Sequence, residues 1–132
     1  MKPSLAELSD ALLAVFEGPA RLTAFRDAGG VWTIGRGHTL GVKAGQTITP
    51  AESIAFFAQD QAPLLSMVAG FSPLPGAALC SFGYNCGRTA LARVLAGQDV
   101  ISNPVHTTDK KGNVENGLVS RRRLEALLIA SA

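Results

Sequence analysis

The segment 17–39, EGPARLTAFRDAGGVWTIGRGHT, constrains the fold of this chain more than any other. Gly29 and Gly30 are typical of a tight turn, because glycine adopts the positive φ angles that such turns need. The following residues, Val31 to Ile34, are all β-branched or aromatic and favour extended backbone. We therefore predict a β-hairpin that is entered from a helix ending at Glu17.

Helical patterns lie on both sides of this hairpin. Capping boxes pair Ser4 with Glu7 and Thr49 with Glu52. The second helix should contain a kink or break near Asp60, because Pro63 interrupts it. The first helix should bury a stripe of apolar side chains at helical spacing: Leu5, Leu8, Leu12, Val15 and Phe16.

The rest of the chain indicates more helices than strands. Helices are predicted over residues 75–87 and 88–96 and from 118 to 131, with a loop over residues 98–117. Residues 42–48 are predicted to form a polar loop with one short strand. The last helix should bury Leu124, Leu127 and Leu128. Together these elements predict an α+β fold.

Two acids in the segment 17–39 are candidates for catalysis. Glu17 should lie on the flank of a buried helix face, where burial keeps a carboxyl group protonated. Asp27 should lie at an exposed strand end and stay ionised. Splitting a glycosidic bond needs one acid to protonate the leaving oxygen and one carboxylate to activate water or attack the sugar. The residue types alone leave open that both acids are ordinary surface charges.

These residues resemble the signature of the phage-type lysozymes. The resemblance consists of Glu-Gly at a helix end, Arg-Leu-x-Ala-aromatic-x-Asp, and Gly-Val-Trp-Thr-Ile-Gly-x-Gly-His-Thr. Two later segments, ALCSFGYNCG from Ala78 and GLVSRRRLE from Gly117, are similar to further motifs of that family. The spacing departs at one place, because Gly18 to Arg26 is one residue longer than the family pattern. We place the extra residue at Pro19-Ala20.

The resemblance implies a lysozyme-like fold of one domain, residues 1–132. A glycan groove would separate a sheet lobe, residues 18–48, from a helical lobe, residues 1–17 and 49–132. The implied activity is that of a peptidoglycan hydrolase, or endolysin. It would cleave the β-1,4 bond between N-acetylmuramic acid and N-acetylglucosamine by acid/base catalysis with inversion.

The resemblance also implies roles for single residues. Glu17 would be the general acid, Asp27 the general base toward a water, and Thr33 the residue that holds this water. Contacts to the glycan would come from Thr39, Tyr84 and Asn85. Simpler interpretations remain open: Thr33 as a β-branched strand residue, Asn85 as a helix cap, and Trp32 as an anchor of the hairpin rather than a sugar platform.

Three other function classes compete with hydrolysis. The first is a wall-binding module that has kept the groove without catalysis. The second is a lytic transglycosylase, which needs the acid but no base to activate water. The third is a helical adaptor whose hairpin matches by chance. The presence of both Asp27 and Thr33 favours hydrolysis.

Charge and cysteine content limit partners and location. The net charge of +2 is too small to indicate nucleic-acid binding, although it favours an anionic polymer such as a cell wall. Cys80 and Cys86 lie on different helix faces and predict free thiols in a reducing compartment. The chain shows no signal peptide and no apolar run of membrane-spanning length. We expect a monomer without membrane insertion, held in the host cytoplasm until a separate membrane pore releases it to the wall.

Two further contacts and one absence are predicted. His38 should form an ion pair with Asp60. The run Arg121–Arg123 is typical of a solvated helix face, but one of its members should pair with an acid elsewhere in the molecule. No cofactor or metal is expected, because the two histidines are far apart and lack cysteine partners at ligand spacing.

Overall fold

In the computed structural model, which describes residues 1–98, 104–109 and 111–131, five α-helices accompany one two-stranded antiparallel sheet. A short 3₁₀ turn, Pro104–His106, precedes the last helix. The predicted α+β class is confirmed. The elements in chain order are α1 (Leu5–Glu17), β1 (Arg21–Arg26), β2 (Trp32–Gly35), α2 (Pro50–Met67), α3 (Pro73–Cys86), α4 (Arg88–Leu95) and α5 (Asn116–Ile129).

The helices α1 and α2 begin at the predicted cap residues, but only the second of the two predicted capping boxes has both of its hydrogen bonds. The hydroxyl of Ser4 accepts a hydrogen bond from the amide of Glu7 at 3.1 Å. At the start of α2 the Thr49 hydroxyl accepts from the Glu52 amide at 3.1 Å, and the Glu52 carboxylate accepts from the Thr49 amide at 3.0 Å. These side chains satisfy amides that a helix start leaves without intrahelical partners.

The buried face of α1 differs from the predicted stripe. Leu5 packs against the core, but Val15 is 76% exposed, while Ser9 and Leu13 are fully buried. The hydroxyl of Ser9 donates to the Gln61 side-chain oxygen of α2 at 2.9 Å. Ser9 follows Leu5 by four residues and therefore lies on the same side of the helix, where this buried polar pair takes the place of an apolar contact.

Of the kink or break predicted near Asp60, the break is wrong, and the kink stays a prediction. The helix continues through Pro63 to Met67. Proline removes one intrahelical hydrogen bond, but Gln61 and Leu64 are buried on either side of it. Packing on both sides of Pro63 therefore keeps the helix in one piece.

The hairpin is antiparallel and irregular. Phe25 pairs with Thr33 and Arg26 with Trp32, and a register shift lies between Phe25 and Arg21. The extra strand expected in residues 42–48 is reduced to a bridge between Thr23 and Thr47. Two backbone hydrogen bonds attach this segment to β1. The Ala24 amide donates to the Gln46 carbonyl at 2.8 Å, and the Ile48 amide donates to the Leu22 carbonyl at 2.9 Å.

The core lies among the helices, and the turn after β2 is fixed to it. His38 Nδ1 lies 2.8 Å from Asp60 Oδ2, so the predicted contact is confirmed. The imidazole also stacks on Phe56 with 4.1 Å between ring centroids. The buried apolar side chains of the core are Leu13, Phe57, Leu64, Val68, Leu79, Cys80, Phe82, Ala90 and Leu91.

Helix α5 buries charge where apolar burial was predicted. Leu124 is 39% exposed and Leu127 is 70% exposed, so the prediction for these two is wrong, while Leu128 is half-buried. The buried side chains of α5 are Arg121, Arg122 and Glu125. The prediction that the arginine run forms a solvated face is therefore wrong for Arg121 and Arg122.

The predicted loop between α4 and α5 contains some regular structure. Its described residues include the 3₁₀ turn and a bridge between Thr108 and Val114. Residues 99–103 and 110, for which only loop was predicted, lie outside the described residues.

Candidate active site

One cavity brings all six predicted site residues together. Its volume is about 370 Å³, and it lies where the end of α1, the hairpin, the turn after β2 and the end of α3 meet. The lining residues are Glu17, Pro19, Arg21, Phe25, Asp27, Thr33, Gly35, Gly37, Thr39, Tyr84 and Asn85. A concave space with two convergent carboxyl groups fits a polar substrate.

Glu17 is held by a cation rather than by apolar burial alone. Its Oε2 lies 2.8 Å from Arg121 Nη1, and its side chain is 18% exposed. This contact confirms that one arginine of the run pairs with a distant acid. On the other side, a Cβ at Gly37 would lie 2.7 Å from Glu17 Oε1, and Gly37 has φ +86°. Glycine at position 37 thus leaves room for the carboxyl group.

Asp27 is oriented by the turn of the hairpin. Its Oδ1 accepts hydrogen bonds from the amides of Gly29 at 2.8 Å and Val31 at 2.9 Å. Gly30 completes the turn with φ +80° and donates its amide to the Asp27 carbonyl at 2.9 Å. These bonds fix one carboxylate oxygen and leave Oδ2 for other partners.

Thr33 and Trp32 lie on opposite faces of β2 because side chains alternate along a strand. Thr33 is 4% exposed and lines the cavity. Its hydroxyl donates to the Val31 carbonyl at 2.9 Å. Trp32 is half-buried beneath the guanidinium of Arg26, 5.1 Å from its ring centroid, and is not one of the cavity-lining residues.

Tyr84, Asn85 and Thr39 line the same cavity. The Tyr84 hydroxyl donates to the Arg36 carbonyl at 2.6 Å, so the ring lies against the cavity while the hydroxyl ties α3 to the turn after β2. Burial, with the carboxylates of Asp60 and Glu17 nearby, raises the pKa of Tyr84 and keeps it neutral. Asn85 and Thr39 are exposed.

Both cysteines are free thiols, as predicted. Burial raises the pKa of Cys80 and of Cys86. Among residues 1–98, 104–109 and 111–131, no three His, Cys, Asp or Glu side chains cluster in a way that could hold a metal ion. In the same part of the chain, no helix combines the length and the apolar character needed to cross a bilayer.

Sequence reasoning missed several residues at the site. Arg21 and Phe25 line the cavity, with the guanidinium 3.6 Å from the ring centroid. Glu125 lies behind Arg121, at 3.3 Å from its Nε. The spacing of Arg121, Arg122 and Glu125 on one helix face was the available signal for this buried cluster.

Comparisons with known proteins agree with this geometry. The Phage lysozyme family model matches residues 14–125. An endolysin from Acyrthosiphon pisum secondary endosymbiont phage 1 is 28% identical over an alignment of 145 positions, gaps included, which covers 97% of this chain and 99% of that protein.

Solved structures show the same fold. The endolysin from Escherichia coli O157:H7 phage FAHEc1 superposes with a TM-score of 0.71 and 25% identity, covering 99% of this chain and 96% of that one. The muramidase domain of SpmX from Asticaccaulis excentricus gives a TM-score of 0.73 and 24% identity, with 99% and 100% covered. Since the family model spans most of the chain, this protein belongs to the phage lysozyme family and is a peptidoglycan hydrolase of the muramidase type.

Proposed function

We propose that this hydrolase cleaves the β-1,4 bond between N-acetylmuramic acid and N-acetylglucosamine, with inversion at the anomeric carbon. Glu17 is the general acid and Asp27 the general base. The observation that carries this proposal is the single cavity lined by Glu17, Asp27 and Thr33. An inverting glycosidase needs two carboxyl groups on opposite sides of the bond, with space for a water between one of them and the sugar.

Glu17 acts at the leaving oxygen. Its partly buried carboxyl group donates a proton as the glycosidic bond breaks. The guanidinium of Arg121, already 2.8 Å away, then stabilises the carboxylate that remains. The same cation holds the carboxyl group in place before the reaction.

Asp27 and Thr33 orient the attacking water. The hydroxyl hydrogen of Thr33 is used by the Val31 carbonyl, so its oxygen accepts from the water. One hydrogen of the water then points to Thr33 and the other to Asp27 Oδ2. A lone pair of the water oxygen then faces the anomeric carbon, and Asp27 takes the proton as the new bond forms.

Thr39, Tyr84 and Asn85 bind the glycan in this proposal. The exposed side chains of Thr39 and Asn85 offer donors and acceptors to hydroxyl and acetamido groups. The Tyr84 ring covers an apolar sugar face. Its hydroxyl remains on the Arg36 carbonyl and fixes the ring.

The replacement of Glu17 by Gln tests the site. An amide cannot supply the proton, so we expect turnover of purified peptidoglycan to fall roughly 10²–10⁴-fold while glycan binding persists. Full activity of Glu17→Gln would contradict the assignment. NMR of freshly cleaved product tests the stereochemistry, because inversion of the β-linked chain gives the α anomer first and an initial β anomer would exclude it.

The same assays separate the other function classes. A binding module leaves the turbidity of permeabilised cells unchanged. A lytic transglycosylase releases anhydro-sugar ends instead of reducing ends, and it does not depend on Asp27. A hydrolase releases reducing ends and loses activity when either acid is replaced.

The cellular route and the assembly are also proposals. We propose a monomer of one domain that stays in the host cytoplasm until a separate membrane pore opens the way to the wall, as the similarity to phage endolysins suggests. Expression with and without a pore-forming partner tests the route. Lysis that needs no pore would exclude it, and size measurement by light scattering tests the monomer.

A further inference from the structure

A cluster of buried charges lies directly behind the proposed acid. Arg121 and Arg122 are 5% and 4% exposed, and Glu125 is fully buried. All three contact α3, and Arg121 also reaches Glu17 at the end of α1. Buried charges are costly unless each is paired, so the pairing pattern shows what the cluster does.

The contacts of Arg121 hold its guanidinium in one orientation. Nη1 donates to Glu17 at 2.8 Å, and Nη2 donates to the carbonyl of Ser81 at 3.1 Å. Nε lies 3.2 Å from the Ser81 hydroxyl and 3.3 Å from Glu125 Oε2. The group also lies 4.7 Å from the Phe16 ring centroid. Arg121 is therefore positioned from behind by Ser81 and Glu125.

Glu125 is the common partner of the cluster. Its Oε2 accepts from the Ser81 hydroxyl at 2.5 Å and from Arg122 Nη2 at 3.1 Å. Arg122 Nε lies 2.7 Å from Oε1, which is an ion contact outside hydrogen-bond geometry. The Ser81 hydroxyl and the two guanidinium groups thus all direct donors at this group, and these contacts favour its carboxylate form.

The cluster has a charge balance that depends on Glu17. Two guanidinium groups face the carboxylate of Glu125 and that of Glu17. When Glu17 is protonated, one positive charge of the cluster is uncompensated. If Glu125 also carried no charge, both positive charges of the cluster would be uncompensated. Opposite or like charges within a few ångströms change protonation strongly when they are shielded from water.

We propose that Glu125 is a positioning residue for the reaction. Acting through Arg121, Glu125 fixes the proposed acid, Glu17, and its negative charge offsets the positive charge that would otherwise keep Glu17 ionised. The inference rests on the proposed role of Glu17. Glu125 is joined by a hydrogen bond to Ser81 and by ion pairs to the two arginines. None of these residues lines the cavity itself. The effect of Glu125 is therefore transmitted by the guanidinium and by charge.

Other charges face Glu17 and act together with this cluster. Arg121 contacts it from α5, and Asp27 and Arg21 line the same cavity from the hairpin. Tyr84 of α3 is neutral. Burial raises the pKa of Glu125, while Arg122, the Ser81 hydroxyl and Arg121 oppose this shift. A substitution at Glu125 alone therefore tests the effect of this one charge on Glu17 while the other charges stay in place.

The test is the pH dependence of kcat on purified peptidoglycan. In Glu125→Gln the amide keeps the size of the side chain but loses the charge. We expect the alkaline limb of the profile, which reports loss of the acid proton, to move to lower pH by about one unit. Ser81→Ala removes a hydrogen bond without changing any charge. The alkaline limb of the pH profile of this variant should therefore stay at the wild-type pH.

A matched control lies on the same part of the chain. Glu115 directly precedes α5 and is exposed, and Glu115→Gln should leave the profile unchanged. A uniform loss of kcat in Glu125→Gln, with no movement of the limb, would mean that Glu125 is only structural and would overturn the proposal.

A second variant covers the case in which Glu125→Gln does not fold. Glu125→Asp keeps the charge but is one methylene too short to reach Arg121 and Ser81 together. We expect kcat to fall about tenfold, with KM unchanged and the alkaline limb in place. Wild-type kcat with only a lower melting temperature would overturn the proposal.

The two proposals fail in different ways. If Glu17→Gln is fully active, the acid assignment fails and this inference fails with it. If Glu17→Gln is inactive but neither Glu125 variant behaves as described, only the inference about Glu125 fails.

Discussion

Two turns of this molecule share a pattern of hydrogen bonds and a glycine of positive φ among their described residues, but their surroundings differ. In the hairpin turn, 27–31, Asp27 Oδ1 accepts from the amides two and four residues ahead at 2.8 and 2.9 Å. In the turn 109–113 before α5, Asp109 Oδ1 does the same at 2.9 and 2.9 Å. A glycine follows three residues after each aspartate, with φ of +80° and +83°.

The backbone hydrogen bonds of the two turns also correspond. Each aspartate amide donates to the carbonyl four residues ahead, at 3.0 and 2.9 Å. The glycine amides donate back to the aspartate carbonyls at 2.9 and 3.0 Å. What differs is the position in the fold, because Asp27 lines the cavity with Glu17 and Asp109 lies on the loop before α5. An aspartate followed three residues later by a glycine thus forms the same kind of turn at both places. The residues packed around the turn determine whether the aspartate can take part in catalysis.

The largest expected effect comes from removing the charge at each turn. Asp27→Asn keeps the acceptor oxygen that orders the turn but loses the base. We expect kcat for peptidoglycan hydrolysis to fall roughly 10²–10⁴-fold with glycan binding retained. Asp109→Asn is the matched control and should stay within about twofold of wild type. Similar losses in both variants would show that the turns matter only for folding.

The glycines should show an effect that the two turns share. A Cβ added at Gly30 or at Gly112 would meet no other atom within 4 Å, so any cost of alanine comes from the positive φ. We expect Gly30→Ala and Gly112→Ala each to lower the free energy of unfolding by about 1–2 kcal/mol, measured by urea denaturation. Only Gly30→Ala should also reduce kcat, because it displaces Asp27. Equal activity in both variants would contradict this distinction.

The smallest effect concerns acid stability at the second turn. Backbone hydrogen bonds, that of Asn113 first and those of Lys111 and Gly112 after it, hold the pKa of Asp109 below its usual value. A lowered folded-state pKa contributes stability above the unfolded-state pKa, and the contribution is lost as pH falls through the folded value. Wild type should therefore exceed Asp109→Asn slightly in stability at neutral pH. The difference should disappear below the folded pKa.

Thermal unfolding of the two proteins from neutral pH down to about pH 2 would measure this linkage, which centres near or below the ordinary aspartate value. A difference that stays constant over this range would mean that the charge of Asp109 makes no contribution.

Local sequence determined the parts of this protein that depend on neighbouring residues. The caps at Ser4 and Thr49 and the hairpin turn form as predicted, because their hydrogen bonds join groups at most four residues apart. The family motifs placed Glu17 and Asp27 on the right elements, and the cavity contains all the predicted site residues. Their catalytic roles remain predictions.

Tertiary structure alone decided which faces are buried and what surrounds the proposed acid. Periodicity favoured burial of Leu124 and Leu127, but α5 presents Arg121, Arg122 and Glu125 to α3 instead. Glu17 and Arg121 are separated by 104 residues in sequence. Helical spacing reveals which residues share a face, but the choice of the buried face follows from the partners available across the interface. Here those partners are a hydroxyl and a carboxyl group, so charge occupies the interior.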